Sequence, residues 1–215
     1  MKPDYILKWM TAAAGHLKNG DSRNAAEIIE AMKEEAAAEI RREEAKNGGK
    51  LNRQKAAERV IKSAKASQPF RECFHGAWTD AAGRQCLCDG FQAYRLREAI
   101  PLETIPEKET PLDLDRIISK NDGETLALPD LGELRAYIKE EKAKQKAQKN
   151  KTPGVLYDFG EGLPAVNAEY LLTAIELLPG CTATASKQYT ETRSIYFESG
   201  AGDGLICPVR KGATV

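Results

Sequence analysis

The chain has 215 residues, and its 32 basic and 32 acidic side chains cancel to a formal charge of zero. Charged residues make up 30% and aromatics 7%, a globular composition that excludes a protein coating polyanions by bulk electrostatics. No apolar run approaches the roughly 18–20 residues that span a bilayer, and an odd five cysteines suit reduced thiols in the cytoplasm better than a disulfide framework.

The N-terminal stretch is apolar only at helical spacing, so it reads as a helix and not as a signal peptide. Tyr5, Ile6, Trp9, Met10 and Ala13 share one face, and Asn19-Gly20 ends the helix. Asp21 or Ser22 caps a second helix, whose stripe is Ile28, Ile29, Met32, Ala36 and Ile40, until Asn47-Gly48-Gly49 breaks the chain. Residues 1–53 are therefore expected to form an antiparallel helical hairpin packed on the remainder. A third helix runs from Gln54 to about Ser67, stopped by Pro69, with Ala57, Val60, Ile61 and Ala64 inward. On its other side Lys55, Arg59, Lys62 and Lys65 line up at intervals of four, three and three, one continuous basic stripe.

Strand character follows. Phe70–Thr79, a four-residue turn Asp80–Gly83 and Arg84–Cys88 read as a hairpin, and Asp89-Gly90 turns the chain into a third strand, Phe91–Leu96. Residues 100–130 are acidic, hold four of the ten prolines and read as an extended connection. Leu131–Asn150 is a lysine-rich helix with Leu131, Leu134, Tyr137 and Ile138 confined to its first half. Val155–Gly160 is a strand, Asn167 caps a helix ending at Leu178, and Cys181–Lys187, Arg193–Glu198 and Gly204–Val209 are strands. The last third thus repeats the helix-then-three-strands order of the middle third. Charge follows these segments: about +3 over 54–100, −5 over 101–130, +4 over 131–151 and −3 over 152–215.

Two stretches carry a family likeness. VNAEYLLTAIELLPG, from Val166 to Gly180, and the ending GDGLICPVRK, from Gly202 to Lys211, resemble the last half-domain of the bacterial DNA sliding clamp, the DNA polymerase III beta subunit. AAERVIKSAKASQPFRECFHGAWTDAAGRQCLCDGF, starting at Ala56, is similar to the opening of a clamp half-domain. The likeness covers residues 54–100 and 155–211. It implies an α+β fold: one clamp-like domain over 54–215, made of two β-α-β-β-β half-domains (54–100 and 155–215) joined by 101–154. A clamp chain carries three such domains and this one has room for one, so a ring requires a homo-oligomer. Clamp helices facing DNA are basic. The third helix fits that pattern, whereas the helix after Asn167 carries Glu169, Thr173 and Glu176 on its polar side.

The resemblance implies a non-enzymatic accessory of DNA metabolism, encoded by a phage or mobile element. Lys55, Arg59, Lys62 and Lys65, with Lys142 and Lys146 of the lysine helix, would contact the duplex backbone without reading bases. Clamps also dock partner peptides in an apolar groove, whose matching positions are Leu177, Leu205, Cys207, Pro208 and Val209. The alternative function is accordingly a protein-interaction module that binds a replication partner without DNA.

Cys73, His75, Cys86 and Cys88 form a candidate zinc set. With Thr79 facing Arg84 and His75 facing Cys88, all four would share one sheet face. In-strand C-x-C is not a zinc knuckle, and buried thiols are the commoner outcome. The only histidines are His16 and His75, and no P-loop, H-E-x-x-H or G-x-S-x-G occurs. Gly200, Gly202 and Gly204 around Asp203 read as a hairpin turn and not a phosphate cradle. No catalytic residue and no cofactor is expected.

Overall fold

The computed structural model describes residues 3–118, 123–148, 154–185 and 194–209. The chain divides into two compact units, residues 1–51 and 52–215. It is an α+β protein, and among the described residues no helix is long and apolar enough to cross a membrane.

The first unit is a hairpin of α1 (Pro3–Lys18) and α2 (Ser22–Asn47). Gly20 turns the chain at φ +75°, and Asp21 caps α2 by accepting from the Asn24 N–H at 3.2 Å while its other oxygen meets His16 Nδ1 at 3.0 Å. Ala13 and Ala25 are buried where the two helices meet, and Ala45, beyond the reach of the shorter α1, is the unit's other buried side chain among the described residues.

In the second unit α3 (Leu51–Ser67) ends before Pro69 and buries Ala57, Val60, Ile61 and Ala64, together with Gln54 and Ala56. Fully buried Gln54 is held by donating to the Pro101 carbonyl at 3.0 Å. The expected strand over 70–79 is mostly absent. Glu72–Phe74 is a 3-10 turn, and β1 is only Trp78–Thr79. A Cβ on Gly76 would strike the backbone of Thr104, so the chain here runs against the connection, with Ala77 bridged to Thr104.

β2 (Gln85–Cys88) then pairs Thr79 with Gln85 and Trp78 with Cys86, one residue away from the expected register. The cause is the turn. Asp80 N–H bonds the Arg84 carbonyl at 3.0 Å, leaving a three-residue loop in which Gly83 sits at φ +78°. The next turn is as tight: Asp89 Oδ1 accepts from the N–H groups of Phe91 and Gln92, both at 2.9 Å, with Gly90 at φ +92°. It leads into β3 (Gln92–Leu96).

The connection contains a 3-10 turn at Leu114–Arg116 and a short β4 (Glu124–Leu126). α4 (Leu131–Ala147) starts on the Asp130 cap, and β5 (Leu156–Asp158) pairs with β6 (Ala165–Asn167), a strand the sequence reading missed. The Asn167 side chain caps α5 (Ala168–Leu177), followed by β7 (Thr182–Ala185), β8 (Ile195–Ser199) and β9 (Gly202–Ile206). Parts of the strands expected over 181–187 and 193–198, and the end of the lysine helix beyond Gln148, lie outside the described residues.

Seven strands form one antiparallel sheet in the order β1-β2-β3-β9-β8-β7-β4. Helix followed by three strands occurs twice, as α3-β1-β2-β3 and α5-β7-β8-β9, and the two sets meet through their last strands. The first set departs from the expected β-α-β-β-β order: α3 follows the α2 turn directly, with no strand before it. Gly202 and Gly204 lie in β9 and not in a turn. A Cβ on Gly202, at φ +149°, would meet the Arg95 carbonyl, and one on Gly204 would meet the Tyr94 ring and lie 2.7 Å from the Ala93 carbonyl oxygen.

The sheet is apolar on both faces. Leu87, Tyr94, Leu96, Phe197 and Ile206 pack with Val60 of α3, Leu134 and Ile138 of α4, and Leu171 and Ala174 of α5. The alternate residues Cys86, Cys88, Ala93, Tyr196 and Leu205 pack with Phe74, Trp78, Leu114 and Ile118. The proline-rich connection is thus a cover for the second face. Gly204→Ala should cost about 1–3 kcal/mol by overpacking this junction, read as a lowered urea midpoint with an unchanged slope.

Candidate nucleic-acid interface

α3, α4 and α5 together carry ten basic and six acidic side chains in a chain that is neutral overall. Lys55, Arg59, Lys62 and Lys65 are all exposed, because the apolar stripe of α3 turns the opposite side into the core. Lys142 and Lys146 are exposed on α4.

Half of this set is already engaged. Arg59 pairs with Glu176 and donates to Thr173 Oγ1 at 3.4 Å, and Arg135 of α4 reaches the other Glu176 oxygen at 2.5 Å. One acidic side chain, 9% exposed, therefore ties three helices together. Lys65 bonds both oxygens of Glu103 at 2.7 and 2.8 Å, and Lys142 pairs with Glu169 at 2.6 Å. Lys55, Lys62 and Lys146 make no ion pair with a described residue. α4 is held in both halves: Tyr137 OH donates to the Leu156 carbonyl at 2.6 Å in the first, and Gln145 donates to the Gly154 carbonyl at 2.9 Å in the second.

The five groove positions do not line one groove. Leu177 is fully buried in the helix-side core, Leu205 is buried in the core on the opposite sheet face, and Cys207 packs beside that second core. Pro208 is half-buried, and Val209 donates its N–H to the Ala165 carbonyl at 2.8 Å.

The zinc set does not converge. Cys73 and His75 lie in and just after the 3-10 turn, off the sheet, and His75 Nε2 sits 2.9 Å from the Gln68 carbonyl oxygen. Cys86 Sγ lies 3.7 Å from Asp80 Oδ2, and Cys88 Sγ accepts from the Gly90 N–H at 3.3 Å. Among the described residues no three His, Cys, Asp or Glu side chains are placed to hold a metal ion. Burial pushes the Cys86 and Cys88 thiols up to about 12 and the Cys181 thiol to about 11, the reverse of what a nucleophile needs.

The sequence reading missed a charge network on the second face. Cross-strand pairing sets Cys86, Arg95, Asp203 and Glu198 in one row. Arg95, 7% exposed, holds both oxygens of Asp203, at 2.8 and 2.5 Å, and reaches Asp115 at 2.5 Å. Arg84 links Asp115 at 2.5 Å to Asp80 at 2.7 Å. The signal was available: Arg95 interrupts an otherwise uncharged buried strand, and such a charge requires a partner. Hydrogen bonding from Arg84 holds the Asp115 carboxyl below its ordinary value; for Asp80 burial works upward but is outweighed by the Arg84 backbone and side-chain contacts, so it too is lowered.

No family model, curated protein or solved structure matches the chain.

Arg95→Met should cost about 3 kcal/mol, because it leaves the Asp203 carboxylate largely buried without its partner, measurable by chemical denaturation. Asp80 and Asp115 titrate lower in the folded than in the unfolded chain, so the unfolded chain takes up protons first. Their contribution is present above an ordinary pKa of 3.8 and disappears as pH falls below it, giving a falling melting temperature under about pH 4. In thiol titration at about pH 8, Cys86 and Cys88 should react only after denaturant is added.

Proposed function

We propose that this protein is a non-enzymatic accessory of DNA metabolism, resting on a single clamp-like domain whose α3–α4–α5 layer contacts the duplex backbone without base readout. The observation that carries the reading is the charge of that layer, a local excess of four positive charges in a neutral chain, on helices that share one sheet face. The repeated order of helix and three strands supports the clamp-like reading of the domain. Lysine without aromatic interleaving suits phosphate contact and not base stacking.

The internal ion pairs set the expected strength. Of the six, Lys55, Lys62 and Lys146 make no ion pair with a described residue, while Arg59, Lys65 and Lys142 would first have to leave Glu176, Glu103 and Glu169. Binding is therefore weak and governed by counterion release. With about three to four phosphates neutralised, log K should fall with log salt at a slope of roughly −3.

Fluorescence anisotropy with a labelled duplex at low salt tests this. Lys55→Glu with Lys62→Glu should abolish binding and leave thermal stability unchanged, since both side chains are exposed and neither pairs with a described residue. Glu176→Gln should act oppositely on two readouts: it loosens the helix layer, lowering stability by about 1 kcal/mol, and it frees Arg59 and Arg135, tightening DNA binding. Absence of any wild-type binding at low salt would sink the reading.

A further inference from the structure

Among the described residues Phe70 is the most exposed large apolar side chain, at 97%. It stands just past Ser67, where α3 and its basic stripe end. The turn that presents it is well held. Pro69 fixes φ at the second position of a turn over Gln68–Arg71, which the Arg71 N–H closes by donating to the Gln68 carbonyl at 3.0 Å. His75 Nε2 sits 2.9 Å from the same oxygen. The Gln68 N–H donates to the Ala64 carbonyl at 2.8 Å, and the Phe74 N–H to the Arg71 carbonyl at 2.9 Å. Phe74 enters the core, while Phe70 is held out of it. An aromatic ring fixed in water forgoes its burial free energy, and such rings anchor intermolecular contacts.

A second aromatic lies on the neighbouring turn. The Asp89–Phe91 turn packs on Gln68: a Cβ on Gly90 would lie 3.4 Å from Gln68 Nε2. Phe91, 44% exposed, stacks on Tyr170 of α5, with ring centres 6.5 Å apart and planes inclined by 19°. Ser63 of α3 hydrogen-bonds the Tyr170 side chain. Two exposed rings thus stand on abutting turns, where the C-terminal end of α3 meets the N-terminal end of α5.

The charges around the rings select the ligand. Lys62 and Arg71 are exposed, and neither makes an ion pair with a described residue. The Arg71 guanidinium lies 5.9 Å from the centre of the Phe74 ring. The nearby acids are already engaged. Glu72 pairs with Lys108 at 3.0 Å and Glu169 with Lys142 at 2.6 Å. Buried Asp89 accepts from the Phe91 and Gln92 N–H groups and from the Gln92 side chain. Exposed aromatic faces beside unpaired cations match a nucleic-acid strand with unpaired bases, whose bases stack and whose phosphates pair. The bases inside a duplex are closed to such stacking by their own neighbours. The α3 stripe itself has no aromatic, so phosphate contact runs along the helix and stacking begins past its last turn.

We propose that Phe70 and Phe91 form a stacking platform for the unpaired bases of a DNA strand whose duplex portion lies along α3. The inference rests on the DNA reading above and names its ligand more closely: a duplex continued by a single-stranded segment. Stacking is indifferent to sequence, so it adds no base readout.

Fluorescence anisotropy at low salt with two labelled probes tests it: a blunt duplex, and the same duplex bearing a single-stranded tail of about ten bases. The tailed probe should bind the wild-type chain about tenfold tighter than the blunt one. Phe70→Ala with Phe91→Ala should bring the ratio of the two affinities to about one. Should loss of the Tyr170 contact destabilise that variant, Phe70→Ala alone, at a position with almost no packing to lose, should still lower the ratio. In Phe70→Trp, a stacked base should quench the introduced fluorescence beyond any change from Trp9 and Trp78 in the wild-type chain, whereas heparin, a polyanion without bases, should not. Equal wild-type affinity for the two probes overturns this inference and leaves the DNA reading standing. Binding of neither probe overturns both. A tail preference that survives both alanine replacements also overturns it, and leaves Phe70 to a protein partner.

Discussion

The second unit depends on the pairing of β3 with β9. Two sets of a helix and three strands, more than 100 residues apart along the chain, become one sheet only where Gln92–Leu96 meets Gly202–Ile206. Gly202 and Gly204 permit the approach, since a side chain at either would collide with the Arg95 carbonyl or the Tyr94 ring. Arg95 and Asp203, opposite each other in this register, lock it electrostatically on one face. A slip by one residue would turn Arg95 into the apolar core beneath the helices and Tyr94 away from it.

Once the sheet is closed on both faces, the charges sort themselves by layer. On the connection side they form a linked chain from Asp80 through Arg84, Asp115 and Arg95 to Asp203, in which Arg95 is buried and Asp115 is exposed. On the helix side they stay near the surface, and the acidic residues of α5 serve as mortar between α3 and α4. The same glutamates that hold the helix layer together subtract from its positive potential. Stability and polyanion affinity therefore compete on this face, and the free lysines at its margins carry what attraction remains.

The two units solve the burial problem differently. The second encloses two cores around one sheet, with large side chains such as Tyr94, Phe197 and Leu87 fully buried. The first has two helices and no third layer, so its large apolar residues face outward.

Periodicity and punctuation determined most of the local structure. The five helices, the Asp21 and Asn167 caps, the stop before Pro69 and the positions of the Gly83 and Gly90 turns are legible in the sequence, because each depends on residues within one or two turns of one another. The exposure of Lys55, Arg59, Lys62 and Lys65 follows from the same periodicity. What the sequence left open depends on residues far apart in the chain. The loop at Gly83 is three residues and not four, which shifts the hairpin register and removes the shared face expected for Cys73, His75, Cys86 and Cys88. The groove positions separated because Leu177 of α5 enters the core on the helix side of the sheet, while Leu205 and Cys207 enter the core on its other face. The pairing of Arg59 with Glu176 joins residues 117 positions apart, and that of Arg95 with Asp203 joins residues 108 apart. Local spacing decides which side chains stand on a face, and only the tertiary structure decides which charge on another element comes to meet them.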